Sequence, residues 1–152
     1  MLLRILLFLF LNFAALGVGG LFTNVGVNSE WYANLNKAPW TPSGWVFGFA
    51  WTTIMICFSI YLAYLWPQVK TKFGLIVLFT IQWILNVAWN PLFFHYHQTG
   101  LSLVVISILT VVVGVFLFQY WPNVKWLTLL LLPYAIWMLI ATSLNAYAVY
   151  AN

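Results

Sequence analysis

Indole, phenol and amide side chains, rather than acids and bases, are the groups in this chain that could act on another molecule. Gln82, Asn86, Trp89, Asn90 and Phe93 recur at i, i+4, i+7, i+8 and i+11, which places them on one face of a helix. Tyr134, Trp137, Ala141 and Asn145 follow the same i+3 and i+4 steps, and small Ala141 and Ser143 leave room beside the rings. Trp51 stands one turn after Phe47, in a segment that follows Pro42. Together these faces describe an aromatic-walled cavity with a few amide donors and acceptors, the usual lining of a small-molecule pocket. The amides of the first face would equally serve as bonds between neighbouring helices, about 1 kcal/mol each. Residue types and spacing leave both roles open.

One segment stands apart. Trp31-Tyr32-Ala33-Asn34-Leu35-Asn36-Lys37-Ala38-Pro39-Trp40-Thr41-Pro42 is polar, aromatic and proline-punctuated, and lies between two apolar runs. It holds one of the five basic residues, Lys37, next to the only acid, Glu30. A loop of this composition is a candidate recognition element, because connecting segments that carry function are built differently from those that only join.

Other chemistries are not assembled. His95 and His97 are an i, i+2 pair with no carboxylate or cysteine nearby, which is poor ligation geometry, so no metal or haem is expected. Ser59, Ser102 and Ser107 have no histidine at their depth, so no nucleophile and base come together for hydrolysis. The single cysteine, Cys57, lies within an apolar run and can form neither an intramolecular disulfide nor a thiolate site. No cofactor is implied by these residues.

The elements that must position these groups are membrane spans. Hydrophobic residues make up 65% of the chain and charged residues 4%, with a mean hydropathy of +1.01, whereas soluble domains are about one quarter charged. The pattern predicts an all-α integral membrane protein, one domain over 1–152, with helices at about 2–23, 43–66, 73–94, 100–121 and 124–150 and a structured loop at 24–42. The first apolar run continues through Gly17, Gly19 and Gly20 to full spanning length, so it reads as a helix rather than a signal peptide. Arg4, Lys70, Lys72 and Lys125 fall near one side and Lys37 near the other, which predicts a cytoplasmic N-terminus in a bacterial cell membrane. The net charge of +4 is scattered and forms no patch for nucleic acid. No acid or base lies inside spans two to five, which argues against ion-coupled transport.

Several of these stretches resemble a known family. Trp31-Tyr32-Ala33-x-Leu35-x-Lys37, Pro42 and Gly48-x-x-Trp51 are similar to the first-loop and second-helix pattern of the translocator protein family, also called TspO/MBR or the peripheral benzodiazepine receptor family. Gln82-x-x-x-Asn86-x-x-Trp89-x-Pro91-x-Phe93-Phe94 resembles its third-helix signature. Pro133-Tyr134-x-x-Trp137 with Ala141-Thr142-x-Leu144-Asn145 resembles its fifth. The resemblance covers nearly the whole chain, and it looks like a bacterial member.

It implies a five-helix bundle, commonly a homodimer, that binds protoporphyrin IX and isoquinoline or benzodiazepine-type ligands beneath the first loop. Carried onto this chain, Tyr32 and Pro42 would roof the pocket, Trp51 and Trp137 would wall it beside Phe47, and Asn86, Asn90, Ala141 and Asn145 would line it. Lys37 is placed to meet a carboxylate at the mouth. Two departures stand out: Ala38 follows Lys37 where many members carry proline, and Tyr147 and Tyr150 precede no basic residue, so the sterol pattern of animal members is incomplete and does not support cholesterol as a ligand. The expected function is therefore a membrane receptor or sensor-like binder of porphyrin. Light- and oxygen-dependent porphyrin breakdown, with Trp51 and Trp137 as electron donors, is the enzymatic alternative, and passive translocation of porphyrin or sterol is another.

Overall fold

A computed structural model describes all residues, 1–152, and contains only helices and their connections. Five stretches are long and apolar enough to cross a membrane. In hydrocarbon every backbone N–H and C=O must find its partner within the segment, and continuous apolar runs of this length can do so only as helices.

The elements are α1 (Leu2–Gly26), α2 (Glu30–Asn34), α3 (Gly44–Gln68), α4 (Lys72–Phe94), α5 (Thr99–Gln119), α6 (Trp121–Val124), a 3-10 segment (Lys125–Leu131) and α7 (Leu132–Ala151). The last span differs from the single helix expected over 124–150. Lys125 adopts a positive φ of 46°, which ends α6, and Pro133 enters at the first turn of α7, where its missing N–H and fixed φ are tolerated. The tighter 3-10 turns fill the gap between them. Pro91 sits near the end of α4, where its carbonyl accepts from both His95 and Tyr96 N–H and so closes the helix.

In space the long helices form a closed ring. α1 packs on α3 and α4, α4 on α5, α5 on α7, and α7 returns to α3. Consecutive α3 and α4 are therefore antiparallel but separated by α1, so the short 69–71 connection spans across α1 rather than joining a packed pair.

One half of this ring is solid. Near the end that carries Arg4, Lys70, Lys72 and Lys125, Phe58 packs against Phe116 at 5.3 Å, Tyr134 at 5.5 Å and Phe79 at 6.2 Å. The Tyr61 hydroxyl donates to the Phe116 carbonyl at 3.0 Å. Polar side chains staple the ring in pairs: Asn12 to Ser59 between α1 and α3, Thr23 to Asn90 between α1 and α4, and Thr110 to Thr142 between α5 and α7. The α4 face reaches through the middle, because Gln82 bonds Tyr134 and Trp89 bonds Asn145, both on α7. Gly19 and Gly26 allow α1 to approach α4, with Asn90 and Phe94 over them. Gly17 and Gly20, which the sequence groups with Gly19, face open space instead.

Candidate ligand cleft under the first loop

The unfilled half lies at the other end, under the segment that joins α1 to α3. Ser29 shapes its start: its hydroxyl donates to the Gly26 carbonyl at 2.6 Å and accepts the Tyr32 N–H at 3.2 Å, capping α2. The short helix then lays Trp31 and Tyr32 onto the end of α4, Trp31 against Phe93 at 5.5 Å and Tyr32 against Phe94 at 5.6 Å. Trp31 also stacks on His97 at 4.1 Å and 13°. His97 is held there by a positive φ of 54°, and neither His95 nor His97 joins a cluster able to hold a metal ion. Beyond α2 the chain runs extended, burying Leu35 and Ala38, and the Thr41 hydroxyl and N–H both bond the Ala38 carbonyl to close a tight turn.

Beneath this roof lies a cleft of about 60 Å³ lined by Tyr32, Leu35, Lys37, Ala38, Thr41, Phe47, Trp89, Phe93, Phe94, Ala141, Leu144, Asn145 and Ala148. Pockets for drug-sized ligands run to roughly 300–1,000 Å³. A flat macrocycle would therefore have to lift the roof.

The wall opposite the roof is fixed by hydrogen bonds. The Trp89 indole N–H donates to Asn145 Oδ1 at 2.8 Å, and the Ser102 hydroxyl lies 3.0 Å from the same oxygen. Asn145 Nδ2 donates to the Thr99 carbonyl at 2.9 Å. Asn145 thus lines the cleft with its polar atoms already engaged, and it presents shape and an oriented indole rather than a free amide. Trp89 is further held by stacking on Phe93 at 5.3 Å and 17°.

Behind Trp89 is a second, smaller chamber of about 10 Å³, bounded by Trp51, Asn86, Trp89, Ile106, Leu109 and Met138. Trp89 borders both spaces and divides them. Asn86 is buried there, with 7% of the residue exposed.

The cleft's charge comes from one residue. Lys37 Nζ sits 4.6 Å above the Tyr32 ring and 3.5 Å from the Leu35 carbonyl. The chain's one acid, Glu30, is exposed at the start of α2 and is not among the lining residues. Burial pushes the Tyr32 phenol above its ordinary value.

Of the residues the sequence nominates, the structure places Tyr32, Phe47, Ala141 and Asn145 on the cleft and Trp51 and Asn86 on the inner chamber. Pro42, Asn90 and Trp137 line neither. Pro42 follows the lining Thr41; Asn90 accepts from the Thr23 hydroxyl and donates to the Asn86 carbonyl; Trp137 packs edge-on to Phe47 at 5.2 Å. Leu144 and Ala148 were not nominated, although they continue the Ala141 face by i+3 and i+7. Phe94 continues the Gln82, Asn86 and Asn90 row by a further i+4 step, whereas the buried loop residues Leu35 and Ala38 carry no periodic signal.

A polytopic membrane bundle with an indole-walled cleft under a structured first loop defines a class of membrane protein, and comparison with known sequences places it. The TspO/MBR family model matches residues 6–151, and the chain belongs to that family. Among its relatives, the tryptophan-rich sensory protein of Cereibacter sphaeroides is 32% identical over 123 residues, 81% of this chain and 77% of that protein. The tryptophan-rich protein TspO of Archaeoglobus fulgidus is 34% identical over 141 residues, 90% of this chain and 88% of its own. The human translocator protein is 31% identical over 132 residues, 84% and 78% respectively.

Proposed function

We propose that this chain is a sensor-like membrane receptor that takes a flat, aromatic, carboxylate-bearing ligand, of which protoporphyrin IX is the model, into the cleft beneath residues 31–42. The observation that carries the reading is a lining of ten hydrophobic residues out of thirteen with one cation, Lys37, at its lip. Indole and phenyl faces suit a tetrapyrrole plane, and an ammonium suits a propionate. Isoquinoline and benzodiazepine-type ligands would use the same apolar surface without the ion pair. The positive-inside pattern supports a multi-pass protein of the cell membrane with a cytoplasmic N-terminus, and a homodimer is the assembly the family resemblance suggests.

Binding, rather than photo-oxidative breakdown, is the reading the geometry favours. Trp51 stands behind Trp89 and Trp137 behind Phe47, so neither indole borders the cleft.

The test is a protoporphyrin IX titration of purified protein in lipid nanodiscs, followed by tryptophan quenching. Wild type should quench saturably, and Ala141→Phe, which fills the cleft at a buried position, should weaken affinity at least tenfold, with a melting curve that shows the variant still folds despite an overpacking cost of about 1–3 kcal/mol. Equal affinity in the filled variant would reject the cleft as the site.

A further inference from the structure

The roof is held at its two ends by different means. At the α2 end it rests on aromatic packing against α4 and the turn after it, through Trp31, Phe93 and His97. At the other end it is clasped to α7 by hydrogen bonds. The Asn36 N–H donates to Asn152 Oδ1 at 2.9 Å, and Asn152 Nδ2 donates back to the Asn36 carbonyl at 3.2 Å. One side-chain amide thus pairs with both main-chain groups of a single extended residue, as an adjoining strand would. Asn152 Nδ2 also reaches the Ala148 carbonyl at 3.0 Å, and Asn36 Nδ2 the Ala151 carbonyl at 3.1 Å. These carbonyls belong to the last turn of α7.

The clasp lies where it controls the cleft. Asn36 sits between Leu35 and Lys37, both lining residues, and Ala148, one turn before Asn152, lines the same space. The cleft at about 60 Å³ is small, so access depends on how often this stretch lifts. Trp40, bonded to Ser143 at 3.1 Å and packed on Tyr147, holds the far side of the strap to the same helix.

We propose that Asn152 is a positioning residue for the cleft: its amide pins the Asn36 main chain to the end of α7 and sets the rate at which the roof opens to admit a ligand. The inference rests on the preceding reading only in taking the cleft to be a binding site.

The pairing makes an asymmetric prediction. Of the three bonds that tie Asn36 to the end of α7, Asn152→Ala removes two and Asn36→Ala one, because the Asn36 groups that meet Asn152 are main-chain atoms; the bond from Asn152 to Ala148 lies within α7 and persists when the roof lifts. With each exposed bond worth roughly two- to fivefold in the opening equilibrium, Asn152→Ala should raise opening about tenfold and Asn36→Ala about twofold.

A readout independent of any ligand is thiol labelling. In a Cys57→Ala background, Ala141→Cys places a thiol at the buried cleft wall, and its rate of reaction with a maleimide reports opening. Asn152→Ala should speed labelling about tenfold and free the Asn36 amide to hydrogen exchange, with Asn36→Ala near twofold. In the chain with native Ala141, protoporphyrin IX association should quicken in the same order.

Labelling of Asn152→Ala at the parent rate, or equal acceleration by both variants, would overturn the clasp. Faster labelling without faster porphyrin association, in protein that binds porphyrin, would overturn its role in access. A parent protein that labels as described but never quenches with porphyrin rejects the proposed ligand while supporting the clasp as the cleft's control.

Discussion

Replacing Gly26 by alanine would press a methyl group into the seam between α1 and α4 at the edge of the cleft. The added carbon would lie 2.4 Å from Phe94 Cβ and 2.5 Å from its Cδ1. Carbon atoms rest at about 3.5–4.0 Å, so the overlap exceeds roughly 1 Å. Rotating the Phe94 ring relieves the second contact but not the first, because Cβ moves only with the backbone. The helices must therefore part, or α1 must unwind before Ser29. Overpacking of this kind costs about 1–3 kcal/mol, and a backbone-linked clash belongs at the upper end. At about 2–4 °C per kcal/mol for a chain of this size, the variant should melt about 5–10 °C lower. It should also weaken ligand binding, since Phe94 lines the cleft and carries Tyr32. Tryptophan-fluorescence melting in a single detergent measures it, with Gly17→Ala and Gly20→Ala as controls. Both control positions have nothing within 4 Å, and helix propensity alone should leave them unchanged or slightly more stable. A Gly26→Ala melting point within 1 °C of those controls would refute the close approach and the reasoning built on it.

Asn145→Leu leaves the Trp89 indole N–H without its acceptor, while the Ser102 hydroxyl and the Thr99 carbonyl keep their bond to each other at 2.8 Å. An unpaired buried polar group costs about 1–3 kcal/mol, so a melting point lowered by about 5 °C is expected at about 2–4 °C per kcal/mol, and Ser102→Ala, which removes its bonds to Asn145 and Thr99 but leaves the Trp89 indole paired, should show a smaller loss in the same assay. Lys37→Gln should weaken protoporphyrin IX about fivefold, as for a part-exposed charge pair, and leave its dimethyl ester unaffected; equal losses for acid and ester in the titration would remove the ion pair. Because Trp89 separates Trp51 from the cleft, Trp51→Phe should change porphyrin affinity less than twofold in the wild-type background and more once Trp89→Leu joins the two chambers, and additive effects in that double-mutant cycle would dismiss the partition.

The location of the spans was legible because lipid imposes a rule that each segment must satisfy by itself. A continuous apolar run of about 20 residues has no alternative to helix, so Leu2 to Gly26 and Thr99 to Gln119 emerge within a few residues of where periodicity and end residues place them. The family, too, lies in local patterns, since Gln82 to Phe94 and Pro133 to Asn145 are each read within one helix. Breaks inside a span were less visible: Lys125 with its positive φ has no compositional mark, and the 3-10 segment it opens reads as more apolar helix.

What a helical face meets was decided only by the fold. Spacing puts Gln82, Asn86, Trp89, Asn90 and Phe93 on one side, but that stripe is wide enough to touch several partners. Asn90 turns to α1, Gln82 and Trp89 reach across to α7, and Phe93 meets the roof. Trp51 and Trp137 share residue type and helical setting with Trp89, yet Trp89 alone borders the cleft, because depth along the ring separates them. The roof depends most on tertiary structure. Leu35 and Ala38 are buried, and Asn36 is pinned by a residue 116 positions away. Such long-range pairings leave no period in a sequence, because their energy depends on where two distant backbones come to lie.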